Sequence, residues 1–321
     1  MKVDGEEHSA YHHRAEALYQ LRTMSHSHLS TPLVNFTWRG QHFLISQWAD
    51  GGTLLDFWEE HRRPTIDAEL IKEILVQIRG LVDTLATVEY WGGLELDPGK
   101  ILRFKNSATL GILRINYAKG RRHIVSTRAR YVGTSIRYIA ERYDPPETIV
   151  LFHEPPSRRS TVWSMGCVAL EFVIWLLYGV EELMRFHHEV GDSYFTVNYH
   201  NEPPTAELHH RVTQWMSHLS QHSECSKNTA IGDLLLIVQE KLLVVALTTD
   251  TAIARYRISP AEFRQELDGI LEKAGDNRYF YTGTPRENLR GPVEHSVDAA
   301  HVSPQSKGSH RLSRLVPWRK R

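Results

Sequence analysis

The 19 histidines of this 321-residue chain include three adjacent pairs, His12-His13, His187-His188 and His209-His210. Imidazole is the commonest metal ligand among side chains, so a metal site is the first chemistry to weigh. Neighbouring residues on a helix point about 100° apart and do not chelate one ion by themselves. The pairs therefore read as solvent-facing side chains, with no metal expected. Cys167 and Cys225 are the only cysteines; two are too few for a disulfide framework and fit a reducing compartment. Cys167 lies in an apolar run and reads as a small buried residue.

That run is "TVWSMGCVALEFVIWLLYGV", and across residues 162–180 its only charged side chain is Glu171. Its length suffices to cross a bilayer. Arg158 and Arg159 precede it, and Trp163, Trp175 and Tyr178 are aromatics suited to the two interfaces. An ionised Glu171 at mid-membrane costs about 2.5–3.5 kcal/mol on insertion scales, a survivable penalty. A membrane span and a core helix both fit the run taken alone.

The surrounding elements decide between them. Lys+Arg and Asp+Glu balance at 38 each, so no global field points to nucleic acid or acidic lipid. The N-terminus, "MKVDGEEHSAYHHRAEAL", lacks an apolar signal core. Ala15, Leu18 and Leu21 recur at helical spacing, and two apolar runs flank the turn "RGQ". Leu70, Ile71, Ile74, Leu75, Ile78 and Leu81 make "DAELIKEILVQIRGLVDTLATV" an amphipathic helix. "LDPGKILRFKNSATLGILRINYAKG" alternates short β-like runs with turn residues. From Thr161 the pattern is mainly helical, with Ser259-Pro260 starting the last helix. The final stretch is poor in aliphatics, and from Lys307 onward it carries Lys and Arg but no acid. It reads as a disordered, solvated terminus.

Taken in order, "HSHL", "LISQWADGGTLLDFW", "LDPGKILRF", "RYDPPE" and "STVWSMGCVALEF" resemble the eukaryotic protein kinase fold, especially the serine/threonine kinase-like domains abundant in filamentous fungi. The likeness spans about Ala15 to Lys273. It implies an α+β, protein kinase-like fold with a truncated small β-rich lobe and hinge (residues 1–52), a mainly helical large lobe (53–284) and a disordered basic tail (285–321). Under it the apolar run is the central large-lobe helix, buried on nearly all sides, and no membrane span is expected. The resemblance pairs Glu147 with Arg257, gives Trp163 and Gly166 scaffold roles, and makes Glu171 a buried carboxylate held by polar partners. Gln47, Trp48 and Ala49 fall at the nucleotide-binding hinge.

The same resemblance exposes departures in the chemistry. Kinases use a glycine-rich loop, a strand lysine paired with a helix glutamate, a catalytic Asp and two metal ligands, an Asn and an Asp. Here no G-x-G-x-x-G occurs, Lys2 is the only counterpart of the strand lysine, and the helix glutamate is Glu16 or is replaced by Arg14. Matching "GLELDPGKIL" to the family's loop puts Gly93 at its His, Glu95 at the catalytic Asp, Asp97 at its Lys and Lys100 at the metal-binding Asn. The metal-binding Asp falls at Asn116 or Tyr117. Glu95 keeps a carboxylate on a longer stem, and a misplacement of about 1 Å costs on the order of a hundredfold. An ammonium at Lys100 repels magnesium, which demands oxygen ligands. Thr161 stands for an Asp that receives backbone hydrogen bonds, and supplies no charge assistance. ATP remains a ligand the resemblance allows, whereas magnesium is disfavoured. Residues 122–135 take the activation-segment position, with Ser126, Thr127 and Thr134 as phosphorylation candidates beside Arg128 and Arg130.

Fold kept and chemistry lost imply a pseudokinase or truncated kinase acting through a protein partner. The alternative is a weak, unorthodox ATP-dependent serine/threonine kinase with Glu95 as base, so the resemblance leaves enzymatic activity open. A third reading is a membrane-bound adaptor spanning at residues 162–180. The first two place the chain inside the cell, in cytoplasm or nucleus, with no nucleic-acid partner.

Overall fold

The computed structural model of the chain describes residues 26–30, 32–39, 41–88, 96–105, 109–112, 129–132, 135–138, 142–150, 159–247, 256–284 and 290–293. These residues form a mixed α+β structure in which helices predominate and the strands pair as small antiparallel hairpins. The expected helix around Ala15–Leu21 lies outside them.

β1 (Pro32–Trp38) and β2 (Gln41–Ser46) pair around the turn read from "RGQ". Alternation puts Val34, Phe36 and Trp38 on one face, opposite Ile45, Phe43 and Gln41. Phe36 and Phe43 stack at 5.2 Å, yet the apolar side chains of this face remain exposed. Among the described residues this sheet stops at two strands, too few to bury a face of their own.

α1 (Leu54–Glu60) opens with a capping box: Thr53 Oγ1 accepts from the Asp56 amide, and the Asp56 carboxylate accepts from the Thr53 amide. α2 (Ala68–Val88) turns Ile71, Ile74, Leu75, Ile78, Leu81, Val82 and Leu85 inward, a spacing of three and four residues that lays one apolar stripe on the core. β3 (Ile101–Phe104) pairs with β4 (Thr109–Ile112), and β5 (Ala129–Val132) with β6 (Ser135–Tyr138). α3 (Glu147–Val150) is a single turn.

The core is organised around α4 (Ser160–Tyr178), in which every residue from Thr161 to Tyr178 is buried. It is wrapped by α2, by α5 (Val180–Val190), by α7 (Ala230–Ile237) and by α8 (Pro260–Leu271). An all-round apolar helix needs an all-round apolar surrounding, and protein supplies it here. Among the described residues this is the only helix long and apolar enough to cross a membrane, and 89% of its apolar window is buried inside the protein. Gly166 explains one of its contacts, since a Cβ there would lie 2.8 Å from Leu242 Cβ; only glycine lets the π-helical turn Val238–Leu242 come this close.

β7 (Phe195–Asn198) and β8 (Thr205–Leu208) form a hairpin before α6 (His210–Leu219), a departure from the helical pattern read after Thr161. α8 starts at Pro260 behind a Ser259–Glu262 capping box. It packs on α2 through ion pairs of Arg79 with Asp268 (2.9 Å) and Arg264 with Asp83 (2.8 Å). α9 (Asn277–Phe280) adds a final turn. Cys167 on α4 and Cys225 in the 3-10 turn after α6 are both free and buried. Burial pushes both thiols well above their ordinary range.

Of the stretch read as a disordered tail, residues 290–293 are described, and Gly291 and Pro292 are buried against α5 and α6. Their contacts are made by backbone groups, which leave no apolar pattern in the sequence.

Candidate functional site

Residues 51–53, which follow the stretch read as a hinge, pair with β3. The Gly51 amide donates to Arg103 O (3.1 Å), the Arg103 amide to Gly52 O (2.9 Å), and Thr53 bridges Leu102. The Lys105 amide donates to Asp50 Oδ1 at 2.8 Å. The pairing is antiparallel, so Ala49 and Asp50 lie beside Lys105 while the turn at Gly99 lies beside Leu55. Gln47 and Trp48 project into solvent, Trp48 at 85% exposure, and Ala49 is half-buried.

Residues 97–100 form a tight turn anchored by buried Leu96 and Pro98. Asp97 Oδ1 accepts from the Gly99 amide (2.8 Å), Asp97 O accepts from the Lys100 amide (2.9 Å), and Asp97 Oδ2 meets Lys100 Nζ at 2.7 Å. Of these two side chains only Asp97 offers oxygen donors; Lys100 brings an ammonium, which repels a divalent cation, and engages the neighbouring carboxylate. Among the described residues, no group of three or more His, Cys, Asp or Glu side chains is arranged to hold a metal ion.

Glu147 and Arg257 meet 110 residues apart in the sequence. Arg257 Nη1 donates to Glu147 Oε1 at 2.6 Å and Nη2 to Oε2 at 3.1 Å, a two-pronged pair with both side chains below 10% exposure. The guanidinium also donates to the carbonyls of Arg159 (3.1 Å) and Val244 (2.9 Å) and lies 5.1 Å from the centre of the Trp163 ring. Thr161 is buried one residue into α4. Four elements thus converge on Arg257: α3, the start of α4, the segment after the π turn, and the approach to α8.

Glu171 is wholly buried on α4 and is held by three side chains. Tyr194 Oη donates to Oε1 at 2.7 Å, Tyr143 Oη donates at 2.9 Å, and His187 Nε2 lies 2.7 Å from Oε1. Burial, and after it the Glu171 charge, drives both tyrosine hydroxyls far above their ordinary range, so they remain donors. This corrects the solvent-facing reading of two histidine pairs. His187 serves Glu171, and His209 caps α6, its Nδ1 accepting from the Arg211 amide at 3.2 Å. Their partners His188 and His210 are exposed.

A cavity of about 700 Å³ opens between α1, α2 and α4, with Phe57, Leu70 and Trp175 in its wall and Glu73 and Arg103 among its polar groups. Gln47, Trp48 and Ala49, read from the resemblance as a hinge, do not line it, and neither does Lys100. It arises where Trp175 Nε1 donates to His61 O (2.9 Å), tying the end of α1 to α4, a contact with no sequence pattern. Arg103 is already engaged there, 3.2 Å from Glu60 and 4.7 Å from the Phe57 ring centre.

Lys2, Arg14, Glu16, Gly93, Glu95, Asn116, Tyr117, Ser126, Thr127, Arg128, Thr134 and the His12-His13 pair lie outside the described residues. The described geometry therefore brings together Glu147 and Arg257, with Trp163, and places Lys100 against Asp97. No protein-family model matches the chain, and no curated protein matches it either.

Proposed function

We propose that the chain is a protein kinase-like domain that acts by engaging a protein partner and lacks efficient phosphotransfer. The observation that carries this reading is the buried Glu147–Arg257 pair, since the resemblance singles out these two residues and they meet across 110 positions. The loss of phosphotransfer is supported at residues 97–100. Asp97 stands where the resemblance expects a Lys and Lys100 where it expects an Asn, and the two departures neutralise each other at 2.7 Å. A carboxylate so paired, beside an ammonium, is poorly suited to draw in a magnesium nucleotide.

Thermal unfolding of the purified chain with ATP, with and without magnesium, tests the reading. A ligand at about a hundred times its dissociation constant adds about 2.7 kcal/mol of stability. The expected result is no magnesium-dependent rise in midpoint. A rise that needs magnesium, accompanied by phosphate transfer that disappears in Glu95→Gln, overturns the proposal in favour of an active kinase.

A further inference from the structure

We propose that the face of α5 and α6 around Trp215 is a docking groove for an extended Gly-Pro segment of a partner protein, held closed in cis by the chain's own residues 290–293. The groove reads backbone. Glu182 Oε2 accepts from the Gly291 amide at 2.9 Å, Arg185 Nη1 donates to Pro292 O at 3.4 Å, Gln214 Nε2 donates to Val293 O at 3.5 Å, and His218 Nε2 lies 3.1 Å from Arg290 O. Side-chain selection enters at one position, because a Cβ on residue 291 would overlap both the Trp215 ring and the Arg185 guanidinium. Pro292 follows it into the groove, while Arg290 and Val293 stay exposed, Val293 at 68%.

The receiving surface is organised by contacts of its own. Glu182 pairs with Arg185 at 2.6 Å, Arg185 lies 5.3 Å from the Trp215 ring centre, Trp215 Nε1 donates to Glu189 at 2.8 Å, and Arg211 meets Glu189 at 2.6 Å. Groups fixed in this way present donors and acceptors without further ordering, the condition under which a short segment binds. A tethered segment holds its site at an effective concentration in the millimolar range. A partner must outcompete it, or the groove opens only when residues 290–293 are drawn away. The inference does not depend on nucleotide, so a failed peptide experiment and a failed nucleotide experiment are separate results.

The test uses a dye-labelled peptide of residues 288–295 titrated by fluorescence anisotropy into the full chain and its Gly291→Val variant, whose own segment cannot seat. The peptide is expected to bind the variant at least about tenfold more tightly than the wild type, and a peptide with alanine at its glycine is expected to lose that binding. Equal affinity for the two chains, indifference to the alanine, or no binding up to about 1 mM overturns the proposal. Hydrogen exchange on the wild-type chain gives a second readout should Gly291→Val unfold. Excess peptide is expected to strip protection from the Gly291 amide, and unchanged protection refutes the groove.

Discussion

Replacing Arg257 by methionine tests the energetic centre of the fold. The substitution keeps much of the side-chain volume but leaves the Glu147 carboxylate buried without its cation. Removing one partner of a buried pair costs about 3–5 kcal/mol. The carbonyls of Arg159 and Val244 also lose a donor, and an unsatisfied buried acceptor adds about 1 kcal/mol or more. An expected loss of about 4–6 kcal/mol follows, a large share of the 5–15 kcal/mol typical of a folded domain. Urea unfolding followed by circular dichroism measures it. Glu147→Leu combined with Arg257→Met removes both charges and is expected to recover at least half of the loss, because the uncompensated carboxylate is gone. If the single variant is too unstable to purify, Arg257→Lys keeps the charge while giving up the two-pronged geometry and reports on the same pair. A loss for Arg257→Met below about 1 kcal/mol, the scale of an exposed pair, refutes the reasoning.

Two further outcomes follow from the site. Tyr194→Phe fills the same space but leaves Glu171 one donor short, so it is expected to cost about 1.5–3 kcal/mol in the same unfolding assay; a neutral result means the carboxylate is satisfied without it. Glu189 gives a pH signature. Burial works to raise its carboxyl, but hydrogen bonds from Trp215 and Arg211 prevail and hold it below its ordinary 4.5. A lowered native value contributes stability that is present above 4.5 and lost as pH falls through that native value. Glu189→Gln is therefore expected to flatten the decline of stability between about pH 5 and pH 3, and unfolding midpoints that fall in parallel with the wild type contradict it.

The legible parts of the structure are those in which local pattern and tertiary environment agree. α2 shows its buried stripe in its spacing, α8 its start in Ser259-Pro260, and the first hairpin its turn in "RGQ". α4 is legible only as a dilemma, since burial in protein and burial in lipid select the same residues; in the structure other helices pack around it and bury 89% of its apolar window. Illegible were contacts made by chain reversal. Glu171 and His187 meet because α5 folds back on α4 after Gly179, and nothing in either residue's neighbourhood announces the other. The seat of residues 290–293 was hidden because carbonyls and amides make its contacts, with Gly291 as the sole side-chain requirement. The 700 Å³ cavity falls in the same class, assembled from three helices at their ends.

The burial of both cysteines gives the chain two internal clocks. A thiol walled off from solvent and held protonated does not meet an alkylating reagent in the native state. Each reacts only as often as its surroundings open. Cys167, in the middle of the central helix, reacts at the tempo of whole-core unfolding, whereas Cys225, in a single 3-10 turn, also reports shorter-range openings. The ratio of the two labelling rates thus separates breathing at one edge from loss of the fold, without any residue being introduced.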